Sequence, residues 1–196
     1  MPSQDPWPYD PRVQELLKAF LRMAKKTHKP YAIGGALAMA AHGYVRQTTD
    51  VDAFLRDEDR LDWLRAARAE GLHIDELYHR IHYIAFDLKH GDPRIRIDLM
   101  FPAEEPALSA IDIPDTATIG NLSFDVFPID MLVIAKFDSD RDKDQNDVAA
   151  MYHLGLFDPV RVHKIMSSLD RDMATRFAAR IQELNRPRLP PPARRR

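Results

Sequence analysis

A glycine pair followed by two closely spaced aspartates constrains this chain more than any other feature. Gly34-Gly35 follows the apolar run Tyr31-Ala32-Ile33, and after fourteen further residues comes Asp50-Val51-Asp52. In an extended strand alternate side chains point the same way, so Asp50 and Asp52 share one face of a strand. Asp98 stands in a second alternating run, at 94–101. The sequence therefore predicts a glycine turn beside strands that carry carboxylates.

The apolar periodicity along the chain predicts alternating helices and strands. Helices are expected at 13–26, 36–42, 57–69, 128–137, 143–154, 159–169 and 171–185, and strands at 31–33, 49–55, 94–101, within 72–88 and in a hairpin at 116–127. We therefore predict an α/β (α+β) fold, a small mixed β-sheet flanked by helices. A core at 1–128 would be followed by a helical C-terminal subdomain at 129–185 and a disordered basic Pro/Arg tail at 186–196.

Composition narrows the class of protein. The chain has 196 residues and no cysteine, which excludes disulfides and thiolate metal sites and is compatible with a cytoplasmic location. The longest run without charged or strongly polar residues, 32–41, is about half of a membrane span, so no membrane association is expected. The net charge is −2, but residues 186–196 carry five arginines and no acid, which leaves −7 on the rest. Such a tail is either solvated or a contact for RNA.

Three carboxylates on two neighbouring strands suit divalent metal. Magnesium prefers hard oxygen ligands on a rigid frame, and Mn²⁺ accepts the same ligands. Two ions roughly 4 Å apart can hold the attacking and leaving oxygens of a phosphoryl displacement in line. Asp50, Asp52 and Asp98 are thus predicted to bind two Mg²⁺ ions. Zinc is not expected, because the histidines show no metal-binding spacing.

These residues resemble the signature of the DNA polymerase β-type nucleotidyltransferase superfamily. The resemblance spans Gly34-Gly35-Ala36-Leu37 through Thr48-Thr49-Asp50-Val51-Asp52, and Asp98 matches the third carboxylate of that pattern. It implies a metal-dependent enzyme that moves a nucleoside monophosphate from a triphosphate to a hydroxyl group. By the resemblance, Asp50, Asp52 and Asp98 would be catalytic metal ligands, and Gly34 and Gly35 would border the triphosphate.

A second segment resembles a subgroup of that superfamily. Lys136, Arg141, Lys143-Asp144 and Asp147 are similar to the lysine and Arg-x-Lys-Asp segment of AbiEii-type nucleotidyltransferases of toxin–antitoxin and abortive-infection systems. The resemblance implies that Lys136, Arg141 and Lys143 neutralise phosphate charge. Asp144 would position a neighbouring group or assist proton removal from the acceptor. The alternative interpretation is a solvated surface segment, because eight of the twelve residues from 136 to 147 are charged.

One position departs from the superfamily pattern. Ala36 stands where a serine hydroxyl commonly touches the triphosphate, and the lost contact amounts to about 1 kcal/mol. Backbone N–H groups near Ala36 remain available to the nucleotide, and Thr48 or Thr49 can supply a hydroxyl.

The sequence is compatible with more than one class of acceptor for the nucleotide. The resemblance implies an RNA acceptor such as the 3′ end of tRNA, or a protein acceptor, with a cognate toxin or antitoxin as a further partner. A small cationic acceptor of the aminoglycoside kind is an alternative that the acidic body permits. A catalytically inactive nucleotide-binding or antitoxin module is a third hypothesis, which Ala36 favours. A glycosyltransferase with an Asp-x-Asp motif is more remote, because little chain precedes Asp50.

Overall fold

The structure is a computed structural model, and it describes residues 7–75, 82–87 and 91–186. Within these residues the helices are α1 Pro11–Thr27, α2 Gly35–Ala41, α3 Arg60–Ala69, α4 Ala107–Asp112, α5 Ile129–Asp138, α6 Asp142–His153, α7 Pro159–Leu169 and α8 Arg171–Leu184, with a 3-10 turn at Asp57–Asp59. The strands are β1 Tyr31–Ile33, β2 Asp50–Leu55, β3 Leu72–Asp75, β4 His82–Asp87, β5 Arg96–Met100, β6 Asp115–Ile119 and β7 Leu122–Val126.

The strands of the described residues form one mixed seven-stranded sheet in the order β3-β4-β5-β2-β1-β7-β6. β2 lies at its centre, antiparallel to β1 and parallel to β5. The predicted fold class, a mixed sheet flanked by helices, is confirmed. The predicted hairpin is confirmed too, with Gly120 and Asn121 between β6 and β7.

One face of the sheet packs against α1 and α3. Val51, Ala53 and Leu55 alternate along β2 and are fully buried, which is the period-two pattern that the sequence predicts. The rings of Phe20 and Trp63, from α1 and α3, stack with centroids 5.4 Å apart in the same core. Burial of these apolar residues fixes β2 so that its polar residues face the other way.

α2 and α4 each contact both β2 and α5. α4 was not predicted, because six residues are too few to show helical periodicity. α6 packs on α5, α7 on α5, and α8 on α7. No helix among the described residues has both the length and the apolar character needed to cross a membrane.

Two sequence-based predictions stay predictions. The division of the chain near residue 128 coincides with the start of α5, but no linker separates the helices that follow from the sheet. The basic tail lies, except for Arg186, outside the described residues.

Candidate active site

The parallel pairing of β2 with β5 brings three carboxylates together. In this register Asp52 lies opposite Asp98, and Asp50 lies opposite Arg96. One oxygen from each of Asp50, Asp52 and Asp98 lies within 4.8 Å of the other two. Carboxylate oxygens at this separation match the ligands that Mg²⁺ and Mn²⁺ prefer, so the donor set fits a hard divalent cation.

Gly35 is held against this cluster. It begins α2 with a φ of +57°, a conformation that L side chains rarely adopt. A Cβ atom at Gly35 would lie 1.6 Å from Oδ2 of Asp52. At Gly34 a Cβ would lie 2.5 Å from the ring of Phe54. Both glycines are therefore required by the close approach of the turn to β2, which the hydrogen bond from the Gly34 N–H to the Asp52 carbonyl (2.9 Å) also holds.

The three carboxylates differ in their electrostatic surroundings. Burial, together with the negative charges of Asp50 and Asp98, raises the pKa of Asp52 to about 7. Burial also acts to raise the pKa of Asp98, but His82, with Nε2 3.7 Å from Oδ1, and the hydrogen bonds from Arg96 outweigh it and leave that pKa below its ordinary value. The guanidinium Nε of Arg96 donates to Oδ1 of Asp98 at 2.8 Å. A cation bound here would relieve the repulsion that raises the pKa of Asp52.

The carboxylates line a cavity of about 410 Å³. Its wall includes most of the residues predicted from sequence: Gly35, Asp50, Asp52, Asp98, Lys136, Arg141, Lys143 and Asp144. Residues from β2, β5, α5 and α6 thus converge on one space. The volume lies within the ordinary range for small-molecule sites.

Lys136 belongs to a buried network rather than to a solvated surface. Its side chain is 8% exposed, and its Nζ donates to Oδ1 of Asp144 at 2.7 Å and to Oδ2 of Asp147 at 2.8 Å. The alternative interpretation of the whole segment as solvated surface is wrong for these three residues, although Arg141 and Lys143 are exposed. Two carboxylates around one ammonium keep the buried charge satisfied.

The carboxylate of Asp144 accepts hydrogen bonds from several donors. Besides Lys136, it accepts hydrogen bonds from Ser139 Oγ at 2.7 Å and Arg141 Nε at 2.7 Å. Burial acts to raise the pKa of Asp144, but these hydrogen bonds dominate and lower it to about 2. Asp144 is thus held ionised among cations.

Three predicted nucleotide contacts lie elsewhere. The Ala36 side chain is buried against the core and does not reach the cavity wall, and Gly34 is covered by Phe54. Thr49 lines a smaller adjoining pocket of about 210 Å³, shared with Arg46, Thr48 and Lys143. The Thr48 hydroxyl donates to Oδ1 of Asp50.

Several residues of the cavity wall are not among the predicted site residues. Arg46, His82 and Arg96 add positive or titratable groups, and an apolar part is formed by Phe54, Met100, Phe127, Leu132 and Ala135. Phe54 and Met100 are paired across β2 and β5, each two residues beyond a carboxylate of the cluster on the same face. Strand alternation was therefore the signal that could have found them.

Comparison with known proteins places the fold. No family model and no curated protein matches the sequence. The solved structures that match include the antibiotic-resistance factor ANT(2″)-Ia in solution, which is 17% identical, with a TM-score of 0.56 over 88% of this chain and 91% of that one. An antigenic nucleotidyltransferase-like protein from Paracoccidioides brasiliensis is 15% identical, with a TM-score of 0.54 over 87% and 94%. The lincosamide antibiotic adenylyltransferase LnuA with lincomycin bound is 9% identical, with a TM-score of 0.50 over 69% and 93%.

The chain therefore has a nucleotidyltransferase fold. The matches extend over most of each compared chain. At these identities the likeness concerns fold, and the chemistry has to be argued from the residues of the site.

Proposed function

We propose that this protein is a Mg²⁺-dependent nucleotidyltransferase that moves a nucleoside monophosphate from a triphosphate to a hydroxyl group. The observation that carries the proposal is the convergence of Asp50, Asp52 and Asp98 within 4.8 Å beside Gly35. These are the positions that the superfamily resemblance assigns to metal ligands, and they lie in a chain with a nucleotidyltransferase fold.

In the proposed reaction the acceptor hydroxyl gives up its proton to solvent and its oxygen forms a bond to the α-phosphorus. The bond from that phosphorus to the oxygen that bridges to the β-phosphorus breaks, and pyrophosphate leaves. Asp50, Asp52 and Asp98 would hold Mg²⁺ or Mn²⁺, which supplies Lewis-acid polarisation of phosphoryl oxygens when bound. The turn at Gly35 brings backbone close to this site without a side chain in the way.

Cationic side chains across the cavity would neutralise the phosphates. Lys143 is exposed at the cavity wall, and no carboxylate of the described residues forms an ion pair with it. Arg141 is also exposed, and Lys136 contributes from its buried site. We assign Asp144 to the positioning of Lys136 and Arg141 rather than to proton removal, because a carboxylate with a pKa of about 2 is a weak base at neutral pH.

Two classes of acceptor are proposed. The resemblance to AbiEii-type proteins favours the 3′ end of RNA or a hydroxyl on a partner protein, within a toxin–antitoxin pair. The solved structures favour a small molecule: ANT(2″)-Ia is seen with adenylyl-2″-tobramycin, and LnuA with lincomycin. The cavity wall mixes carboxylates, cations and apolar side chains, so its charge alone selects neither class.

The test is transfer of label from each α-labelled nucleoside triphosphate in the presence of Mg²⁺. Separate reactions contain total tRNA, a lysate, or a panel of aminoglycoside and lincosamide antibiotics, so that the labelled product identifies the acceptor class. Asp50→Asn should abolish transfer. The matched control is Asp125→Asn, because Asp125 is a strand aspartate that does not line the cavity, and it should retain transfer. Transfer at an unchanged rate in Asp50→Asn would refute the proposal.

A further inference from the structure

We propose that Asp147 is a positioning residue that holds the guanidinium of Arg46 at the wall of the cavity, where Arg46 binds the polyphosphate of the substrate. This inference rests on the proposed function. Neither residue is a metal ligand, and the two come from distant parts of the chain: Arg46 from the segment between α2 and β2, and Asp147 from α6.

Asp147 is buried and faces two cations at once. Asp147 is 2% exposed. Its Oδ1 lies 3.2 Å from Nε of Arg46, and its Oδ2 lies 2.8 Å from Nζ of Lys136. One carboxylate therefore connects the segment before β2 with α5.

The charge of Lys136 does not require Asp147 alone. Asp144 lies one helical turn earlier on the same face of α6, and its Oδ1 is already 2.7 Å from the Lys136 ammonium. The second oxygen of Asp144 pairs with Arg141, just as the second oxygen of Asp147 pairs with Arg46. Two carboxylates thus arrange three cations, and the excess is positive on a wall that faces the carboxylate cluster.

Arg46 brings its positive charge to two adjoining spaces. It lines both the main cavity and the adjoining pocket that contains Thr48, Thr49 and Lys143. Its segment has no helix or strand to hold it, and a free arginine side chain loses rotamer entropy when it binds. The ion pair with Asp147 restrains Nε, and Nη1 donates to the Gln47 carbonyl oxygen at 3.4 Å, so the guanidinium is restrained in advance. Its remaining N–H groups can meet phosphate oxygens.

A purely structural role makes a different prediction. If Asp147 serves only to satisfy the buried Lys136, its loss lowers stability without changing how Arg46 binds a ligand. If Asp147 acts through Arg46, removal of either residue costs the same binding interaction, and removal of both costs no more than removal of one.

The experiment is a double-mutant cycle on ligand binding by the full chain, measured by calorimetry with Mg²⁺ and inorganic tripolyphosphate, and in parallel with the four nucleoside triphosphates. Arg46→Ala and Asp147→Asn should each weaken binding by about tenfold, and the double variant also by about tenfold. Asp130→Asn is the matched control. Asp130 is 5% exposed, its Oδ2 lies 2.6 Å from Nε of Arg161, and it does not line the cavity, so this variant should leave binding unchanged.

Asp147→Glu guards against a variant that does not fold. It keeps a negative charge beside Lys136 but displaces the carboxylate from Arg46, so it should weaken binding in the wild-type background and have no effect in Arg46→Ala. Additive losses, or a change in melting temperature without a change in affinity, would overturn the positioning role alone. Absence of binding of tripolyphosphate and of every triphosphate to the wild type would overturn the proposed function together with this inference.

Discussion

Replacement of Gly35 by alanine should damage the site far more than the fold. A residue with a side chain at a φ of +57° is strained by about 1 kcal/mol. In addition, its Cβ would lie 1.6 Å from Oδ2 of Asp52. The carboxylate must then move by roughly 1 Å or more to restore an ordinary contact. Because a displacement of this size at a reacting centre costs about 100-fold in rate, we expect a loss of about that factor in kcat for Gly35→Ala.

Gly71→Ala is the matched control for the backbone term. Gly71 has a φ of +79°, and no atom lies within 4 Å of the Cβ that alanine would add. It should therefore lose about 1 kcal/mol in the free energy of unfolding by urea denaturation and keep its activity. Gly35→Ala should lose at least as much stability and, in addition, its affinity for Mn²⁺ in a calorimetric titration. If Gly35→Ala matches Gly71→Ala in stability, metal affinity and kcat, then Asp52 does not lie against the glycine turn and the reasoning is refuted.

Three further predictions concern charge and packing. The pKa of Asp144 is lowered to about 2, so its ionised form contributes about 2 kcal/mol to the free energy of unfolding. This contribution is complete above pH 4 and is lost as the pH falls through 2. Urea denaturation from pH 5 to pH 2 should show the loss in the wild type and not in Asp144→Asn. Lys143→Ala should raise the KM for the triphosphate by about tenfold with a melting temperature close to that of the wild type, because the side chain is exposed; an unchanged KM would remove Lys143 from the phosphate site. Phe20→Ala should cost about 3–5 kcal/mol of stability through its stacking on Trp63 and leave the kcat of the folded fraction unchanged; a small loss on denaturation would contradict the packing described.

Local sequence patterns were sufficient for most of the elements that position the site. The alternation in 49–55 and 94–101 correctly put Asp50 and Asp52 on one face of β2, and Asp98 opposite the buried face of β5. It could not give the parallel register that places Asp52 beside Asp98, because strand pairing joins residues far apart in the chain. The sequence nevertheless predicts that the three carboxylates lie together, in part through the superfamily resemblance, and the structure supplies the register that brings them together.

The segment from Lys136 to Asp147 shows a second limit. Its charge content suits solvated surface as well as a functional motif, and local pattern cannot distinguish the two. The structure distinguishes them by the contacts of each residue. Lys136 is buried between two carboxylates of α6, and one of these, Asp147, also forms an ion pair with Arg46 from another part of the chain. Similarly, the contribution of His82 to the cavity depends on the pairing of β4 with β5.

The central claim is that Asp50, Asp52 and Asp98 bind divalent cations together. A crystal of the full chain grown with Mn²⁺ and a non-hydrolysable triphosphate tests this claim most directly. We expect anomalous density in contact with oxygens of all three carboxylates and of the triphosphate, and its loss in Asp98→Asn. Ordered triphosphate with Mn²⁺ bound elsewhere, or Asp98 turned away from the ion, would contradict the account.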